Sequence, residues 1–131
     1  MAGKRIFVSY DYDNDKHYRH LLSAWDANKS FNFTFDDHST PLINSVDAGR
    51  IKAAISVKMA GAGCLLVIVG KQTAKSDWVA WEIAKAKELK LGLVAVKIDD
   101  QYATPAGLIG AGAKWAMSFT ESSITTAVNQ C

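Results

Sequence analysis

The six-residue run "CLLVIV" at residues 64–69 contains only apolar side chains and no charge. Two comparable runs occur elsewhere, "RIFVSY" at 5–10 and "LVAVKI" at 93–98. Short apolar runs rich in Val and Ile are typical of strands that are buried on both faces of a parallel sheet. These three segments therefore predict the centre of a parallel sheet.

Two further segments add outer strands to this sheet. In "FNFTF" at 31–35 phenylalanines alternate with polar residues, which predicts a strand with one more open face. "KWAMSF" at 114–119 is a weaker fifth candidate. The sequence thus predicts five strands.

Segments with helical periodicity separate the strands. Their expected termini are, in chain order, Asn14 or Asp15 before the first helix, Gly61 and Gly63 after the second, Ser76 or Asp77 before the third with Gly92 at its exit, and Thr120 before the last. Alternation of strands and helices implies right-handed crossovers and helices on both faces of the sheet.

We therefore expect an α/β fold, a flavodoxin-like three-layer sandwich with a five-stranded parallel sheet in the order 2-1-3-4-5. No repeat or linker interrupts the pattern, so residues 1–131 are interpreted as a single domain. Ligands of such sheets bind at the carboxyl ends of the strands, beside strand one. The loops after the first three strands are consequently the expected location of a site.

Composition restricts the function further. The formal net charge is only +2 and the lysines are dispersed, so nucleic acid is not an expected partner. No apolar run approaches 18 residues, so no membrane span is expected. Cys64 lies inside an apolar run and reads as a small core residue, while Cys131 is far away in sequence. We expect no disulfide and a cytoplasmic location.

Three known classes of α/β protein do not fit the loops of this sequence. A response-regulator receiver needs an aspartate at the end of the third strand, where this chain has Gly70 and Lys71. A flavodoxin needs a hydroxyl- and glycine-rich phosphate loop after strand one, where this chain has Asp11, Asp13 and Asp15. A dinucleotide-binding dehydrogenase needs G-x-G-x-x-G there, and that motif is absent from the sequence.

The segment "SDWVAWEI" at 76–83 opens the third helix. Trp78 and Glu82 are four residues apart and share a helix face, next to the expected ligand edge. Glu82 is open to two interpretations, a catalytic carboxylate or a surface residue paired with Lys85. Trp78 and Trp81 are about 300° apart around the helix. We expect Trp81 to pack against a neighbouring element rather than to face the crevice.

Two stretches carry a resemblance to a known family. "RIFVSYDYDND" resembles the first strand and following loop of TIR domains, and "SDWVAWEI" is similar to the helix of NAD-cleaving TIR domains, in which a tryptophan precedes the catalytic glutamate by four. The chain more narrowly resembles the TIR-like proteins of bacterial Thoeris antiphage defence, a group also known as DUF1863. The resemblance covers the whole alternation of strands and helices.

The resemblance implies an activity. Active members of the family cleave the bond between nicotinamide and ribose in NAD+, and some return a cyclic isomer of ADP-ribose as a signal. By the resemblance, Glu82 stabilises the oxocarbenium-like ribose and Trp78 places an aromatic face beside the substrate. NAD+ is then the substrate, and neither a cofactor nor a metal is expected.

Further substrate-binding residues are implied at the ends of the first two strands. Phe7, Ser9 and Tyr10 end strand one next to the crevice, although Phe7 and Tyr10 are equally consistent with core packing. Asp36 follows in strand two and is expected to bind ribose hydroxyls. The segment 38–45 corresponds to the loop through which TIR domains contact neighbours, so self-association on activation is expected.

Two functions remain open at this point. The first is an NAD+ glycohydrolase or ADP-ribosyl cyclase whose product acts on a separate nucleotide-sensing effector protein. The second is a non-catalytic TIR-like module that works by self-association or partner binding, because TIR folds serve both roles. Glu82 favours the enzyme. The acidic loop departs from the basic or neutral residues common in the family, which leaves Lys71 and Lys75 as candidates for the pyrophosphate.

Overall fold

The computed structural model describes residues 4–27, 33–36, 48–116 and 118–131. The strands are β1 Lys4–Ser9, β2 Phe33–Asp36, β3 Cys64–Val69, β4 Gly92–Lys97 and β5 Lys114–Ala116. The helices are α1 Tyr12–Ala27, α2 Ala48–Ala60, α3 Asp77–Glu88 and α4 Glu121–Val128. None of the helices in these ranges is both long and apolar enough to cross a membrane.

The strands form one parallel sheet in the order β2-β1-β3-β4-β5. The predicted α/β fold with a parallel sheet is confirmed. Reversal of the strand order places the switch point between β1 and β3, where Ser9 is aligned with Val67. This junction is where ligands of open α/β sheets bind.

The strand boundaries follow the apolar runs most closely in the centre of the sheet. β3 covers the predicted 64–69, and all six of its residues are buried. β2 is described over 33–36 rather than 31–35, and residues 31 and 32 lie outside the described residues. β5 ends at Ala116, three residues before the predicted end, and among the described strands it pairs with β4 alone.

Alternating side chains of the strands feed two cores, one on each face of the sheet. The core beneath α1 and α4 contains, among others, Ile6, Val8, Leu22, Leu66, Ile68, Val94, Val96, Ile124 and Val128. The core beneath α2 and α3 contains, among others, Phe7, Ile55, Met59, Leu65, Val67, Val79, Ile83 and Ala95. The sheet is thus covered by helices on both faces.

The helix ends show which local signals were read correctly. Ser76 caps α3 by accepting a hydrogen bond from the Val79 N–H at 3.2 Å, and Thr120 caps α4 in the same way. The expected cap of α1 at Asn14 or Asp15 was wrong. Both residues lie inside the helix, because their N–H groups donate to the carbonyl of Asp11 at 3.2 and 2.7 Å.

The exit of α3 also differs from the expected glycine stop at Gly92. The left-handed turn is made by Lys90, whose φ is +61°, and Gly92 already begins β4. Gly92 has a different role, because a Cβ atom there would lie 3.0 Å from the Cβ of Cys131. The glycine leaves room for the segment that follows α4.

The expectation that the cysteines are unpaired was wrong. Cys64, the first residue of β3, and Cys131 are joined by a disulfide, with their Cα atoms 6.3 Å apart. Cys64 lies next to Gly92 in the strand register, and this neighbour is where Cys131 packs. A separation of 67 residues carries no spacing signal, so the pairing depends on the tertiary fold.

Candidate functional site

A buried hydrogen bond joins the end of β1 to α3. The hydroxyl Oγ of Ser9 donates to Oε1 of Glu82 over 2.7 Å. Ser9 is fully buried and Glu82 is only 5% exposed. A buried carboxylate is unusual unless it is hydrogen-bonded. Glu82 is therefore a buried, hydrogen-bonded residue at the carboxyl edge of the sheet. The interpretation of Glu82 as a solvated surface residue does not hold.

The sequence of α3 explains how the carboxylate becomes buried. The helix buries Trp78, Val79, Glu82, Ile83 and Ala86, which follow the spacing of a single helical face. Glu82 lies in the second turn, where this face passes the end of β1. The neighbouring Lys85, the expected surface partner, instead lies 3.4 Å from Glu88.

Trp78 and Trp81 stack on each other, with ring centroids 5.8 Å apart and an angle of 29° between the planes. The prediction that they face different ways was wrong, because 300° in one direction is only 60° in the other. Trp81 does pack against a neighbouring helix, since Lys52 of α2 lies 5.5 Å from its ring centroid. The same ammonium group lies 5.6 Å from the ring of Trp78.

The indole N–H of Trp78 is a second notable polar group. It is buried, and it has no hydrogen-bond partner among the residues that the structure describes. An unsatisfied buried donor costs roughly 1–3 kcal/mol. Trp78 is thus a buried aromatic residue with an unused donor, one helical turn before Glu82.

The other predicted site residues are placed differently. Phe7 is fully buried in the core beneath α2 and α3, so its side chain packs there. Tyr10 belongs to the core on the opposite face and is 9% exposed. Asp36 ends β2 in register with Phe7, and its side chain lies outside the described part of the structure. The segment 38–45 also lies outside the described residues.

A second buried carboxylate lies at the same edge, in the first turns of α1. Asp15 is 5% exposed and accepts a hydrogen bond from Oγ1 of Thr73 over 3.1 Å. The Thr73 hydroxyl itself accepts the N–H of Gly70 over 2.7 Å. The carboxyl group packs so closely on Gly70 that a Cβ atom at this position would overlap it.

The environment of Asp15 changes its acidity. Burial raises the pKa of this carboxyl group above its ordinary value of 3.8, and the nearby Asp11 raises it further, while the hydrogen bond from Thr73 opposes both. Asp15 appeared in the sequence only as a helix cap and as one of the acidic loop residues. Nothing in the spacing of Asp15 and Thr73, 58 residues apart, could have shown their contact.

Comparison with protein families identifies the chain at this point. The model of the Thoeris protein ThsB, TIR-like domain, matches residues 7–103, which include both Ser9 and Glu82. The chain belongs to this family. The predicted Thoeris TIR-like resemblance is therefore confirmed, and it connects the domain to TIR-type defence. No curated protein matches the chain.

The structure brings together part of the set of residues predicted for this TIR-like domain. Ser9, Trp78 and Glu82 share the face of the sheet covered by α3, with Ser9 bonded to Glu82. Tyr10 lies on the other face. Lys52 escaped the sequence analysis, because a lysine in a loosely amphipathic helix carries no distinguishing pattern.

Proposed function

We propose that this TIR-like domain cleaves the nicotinamide–ribose bond of NAD+, with Glu82 as the catalytic carboxylate. The observation that carries the proposal is the 2.7 Å hydrogen bond by which Ser9 holds Glu82 at the carboxyl edge of the sheet. A carboxylate that is only 5% exposed acts on a neighbouring charge more strongly than one in water. Family membership supports the same conclusion.

In the proposed reaction the C–N bond between the ribose and nicotinamide breaks heterolytically. The bonding electron pair stays on the pyridine nitrogen, which neutralises the nicotinamide, and the positive charge develops on the anomeric carbon. Glu82 stabilises this charge and orients the ribose hydroxyls. Water, or a nucleophilic atom of the same ADP-ribose, then forms the new bond to the anomeric carbon and loses its proton. The second route gives a cyclic product.

Ser9 is a positioning residue in this proposal. Its hydroxyl fixes Oε1 of Glu82, so that the carboxylate does not have to be ordered when the substrate binds. Trp78 contributes an aromatic ring one helical turn before Glu82. Its buried indole N–H has no partner among the residues that the structure describes, and in this proposal it donates to a substrate oxygen. The stack with Trp81 and the ammonium group of Lys52 hold this ring in place.

The direct test is NAD+ turnover with mass analysis of the products, in purified protein and in phage-challenged cells. Glu82→Gln keeps the size of the side chain but removes the charge, and we expect a loss of about 100- to 1,000-fold in turnover. Glu88→Gln is the matched control, because it makes the same change on an exposed part of the same helix. Its turnover should stay within twofold of the wild type.

Ser9→Ala sharpens the assignment. We expect kcat to fall about tenfold with little change in KM, because the hydroxyl positions Glu82 and does not bind the substrate. The proposal fails if NAD+ is consumed in neither setting, or if Glu82→Gln turns over NAD+ like the wild type. Protection of cells by Glu82→Gln would instead support the non-catalytic interaction module.

In this proposal the chemical identity of the product determines which effector protein can recognise it. A cyclic or linear ADP-ribose released by the domain would act on a separate nucleotide-sensing effector protein. The mass of the product distinguishes the two, since hydrolysis adds one water and cyclisation adds none. Self-association on activation is part of the same proposal, and sedimentation of the protein with and without NAD+ tests it.

A further inference from the structure

A crevice with a volume of about 430 Å³ opens at the carboxyl edge of the sheet and is separate from the Ser9–Glu82 pair. Its lining includes Asn14, Asp15, Tyr18, Lys71, Gln72 and Tyr102. These residues come from α1 and from the loops that follow β3 and β4. The crevice is within the volume range of small-molecule sites, about 300–1,000 Å³.

Two tyrosines and two amides give the crevice its chemistry. Tyr18 and Tyr102 are half-buried, so each offers an aromatic face together with a polar hydroxyl. The ring of Tyr18 is held by an edge-on contact with Phe119, with centroids 5.1 Å apart. The amide of Gln72 can both donate and accept hydrogen bonds. The amide nitrogen of Asn14 already donates to Oδ2 of Asp11 over 2.7 Å, which leaves its oxygen as an acceptor. Aromatic faces combined with amides suit a ligand that carries a ring and several hydroxyl groups.

The floor of the crevice is rigid and acidic. Asp15 is held from one side by the Thr73 hydroxyl and from another by its close packing on Gly70. A carboxyl group fixed in this way can accept hydrogen bonds from vicinal hydroxyls without first losing conformational freedom.

The two lysines that follow β3 differ in their position relative to the crevice. Lys71 is exposed and belongs to the lining of the crevice, whereas Lys75 is exposed and does not. An ammonium group at the rim attracts a phosphate, and the two lysines are only four residues apart. They therefore form a natural pair of test and control positions.

We propose that this crevice binds a phosphorylated ribose, with the sugar hydroxyls on Asp15 and the amides and the phosphate beside Lys71. The side chains that line the crevice indicate a phosphorylated ribose as the class of ligand. The choice of ADP-ribose as the molecule that contains this group rests on the proposed function. In this arrangement Glu82 performs chemistry on one face of the sheet, while Asp15 supplies affinity on the other.

The test is isothermal titration of the 131-residue chain with ADP-ribose, AMP and ribose 5-phosphate. Tyr102→Ala should weaken ADP-ribose binding about tenfold through the lost aromatic contact. Lys71→Ala should weaken it about fivefold and reduce its dependence on salt. Lys75→Ala is the matched control and should bind within twofold of the wild type. Lys71 and Lys75 are exposed, so their variants are expected to fold. Tyr102 is half-buried against the core beneath α2 and α3, so urea denaturation of Tyr102→Ala before the titration separates lost binding from lost folding.

Glu82→Gln separates this inference from the proposed function. If the variant loses NAD+ turnover but binds ADP-ribose like the wild type, both proposals stand. If no protein turns over NAD+ but Tyr102→Ala and Lys71→Ala still weaken ADP-ribose binding, the proposed function fails and the crevice site stands. Binding that is unchanged in Tyr102→Ala and Lys71→Ala overturns the crevice site. Absence of any binding by the wild type, to all three ligands at millimolar concentration, overturns it as well.

Discussion

The two ends of the parallel sheet use glycine in the same way but for opposite purposes. At the amino end, Gly92 leaves room for Cys131, which is bonded covalently to the neighbouring Cys64. At the carboxyl end, Gly70 leaves room for the carboxyl group of Asp15. One end admits a covalent crosslink, and the other admits a buried acid.

This difference separates a stabilising constraint from a cluster of buried polar groups. The amino end holds α4 against the sheet through a disulfide, which is a stabilising constraint. The carboxyl end buries Asp15, Glu82 and the indole N–H of Trp78, which has no hydrogen-bond partner within the described ranges. Each of these groups costs free energy to remove from water. Buried polar groups of this kind are expected where a ligand binds. The free energy that the disulfide contributes to stability offsets part of the cost of burying these polar groups.

The largest effect should come from breaking the crosslink. Reduction, or the change Cys131→Ser, should lower the free energy of unfolding by about 4 kcal/mol, because the bond closes a loop with a sequence separation of 67. The measurement is urea denaturation with and without a phosphine reductant. If the urea midpoint of the wild type is the same with and without the reductant, the disulfide at the amino end does not stabilise the fold. The Cys131→Ser variant should show no response to the reductant.

A smaller effect should come from filling the space at the other end. Gly70→Ala should lower the free energy of unfolding by about 3 kcal/mol, because the new methyl group would overlap Asp15. Gly49→Ala is the control. It adds the same methyl group in α2, where no described residue outside the helix lies within 4 Å, and should raise stability by about 0.5–1 kcal/mol. Equal effects of the two substitutions in urea denaturation would contradict the tight packing of Asp15.

The smallest effect concerns pH. The pKa of Asp15 is raised in the folded state, so folding favours its protonated form. This contribution to stability is present at low pH and is lost as the pH rises from 3.8 through the raised pKa. Relative to Asp15→Asn, the wild type should therefore lose stability across that interval. Urea denaturation of both proteins over a pH series measures the difference. A difference that stays constant with pH would show that Asp15 titrates normally.

The fold was predictable to the extent that its signals are local. Continuous apolar runs located β1, β3 and β4, because strands buried on both faces leave few positions for polar residues. The caps at Ser76 and Thr120 were likewise readable, since a cap depends on a hydroxyl and the next three residues. The end of α3 was not, because Lys90 adopted the conformation that glycine usually supplies.

For the candidate site, too, local signals could be read from the sequence and contacts between distant segments could not. Glu82 and Trp78 could be singled out from the sequence because their spacing is local and resembles the helix of NAD-cleaving TIR domains. The bond from Ser9 to Glu82 spans 73 residues and needed the fold to bring β1 beside α3. The packing of Asp15 on Gly70 and the disulfide are likewise contacts between distant segments. Nothing in their sequence spacing distinguishes them from unrelated pairs.

The disulfide also has a topological consequence. It closes a ring that contains β3, α3, β4, β5 and α4, while β1, α1, β2 and α2 lie outside it. A protease that cuts once within residues 65–130 therefore leaves two fragments that stay connected until the bond is reduced. A cut before Cys64 releases its amino-terminal fragment once the protein unfolds, whatever the redox state. Gels run with and without reductant would thus map any site of cleavage to one half of the chain or the other.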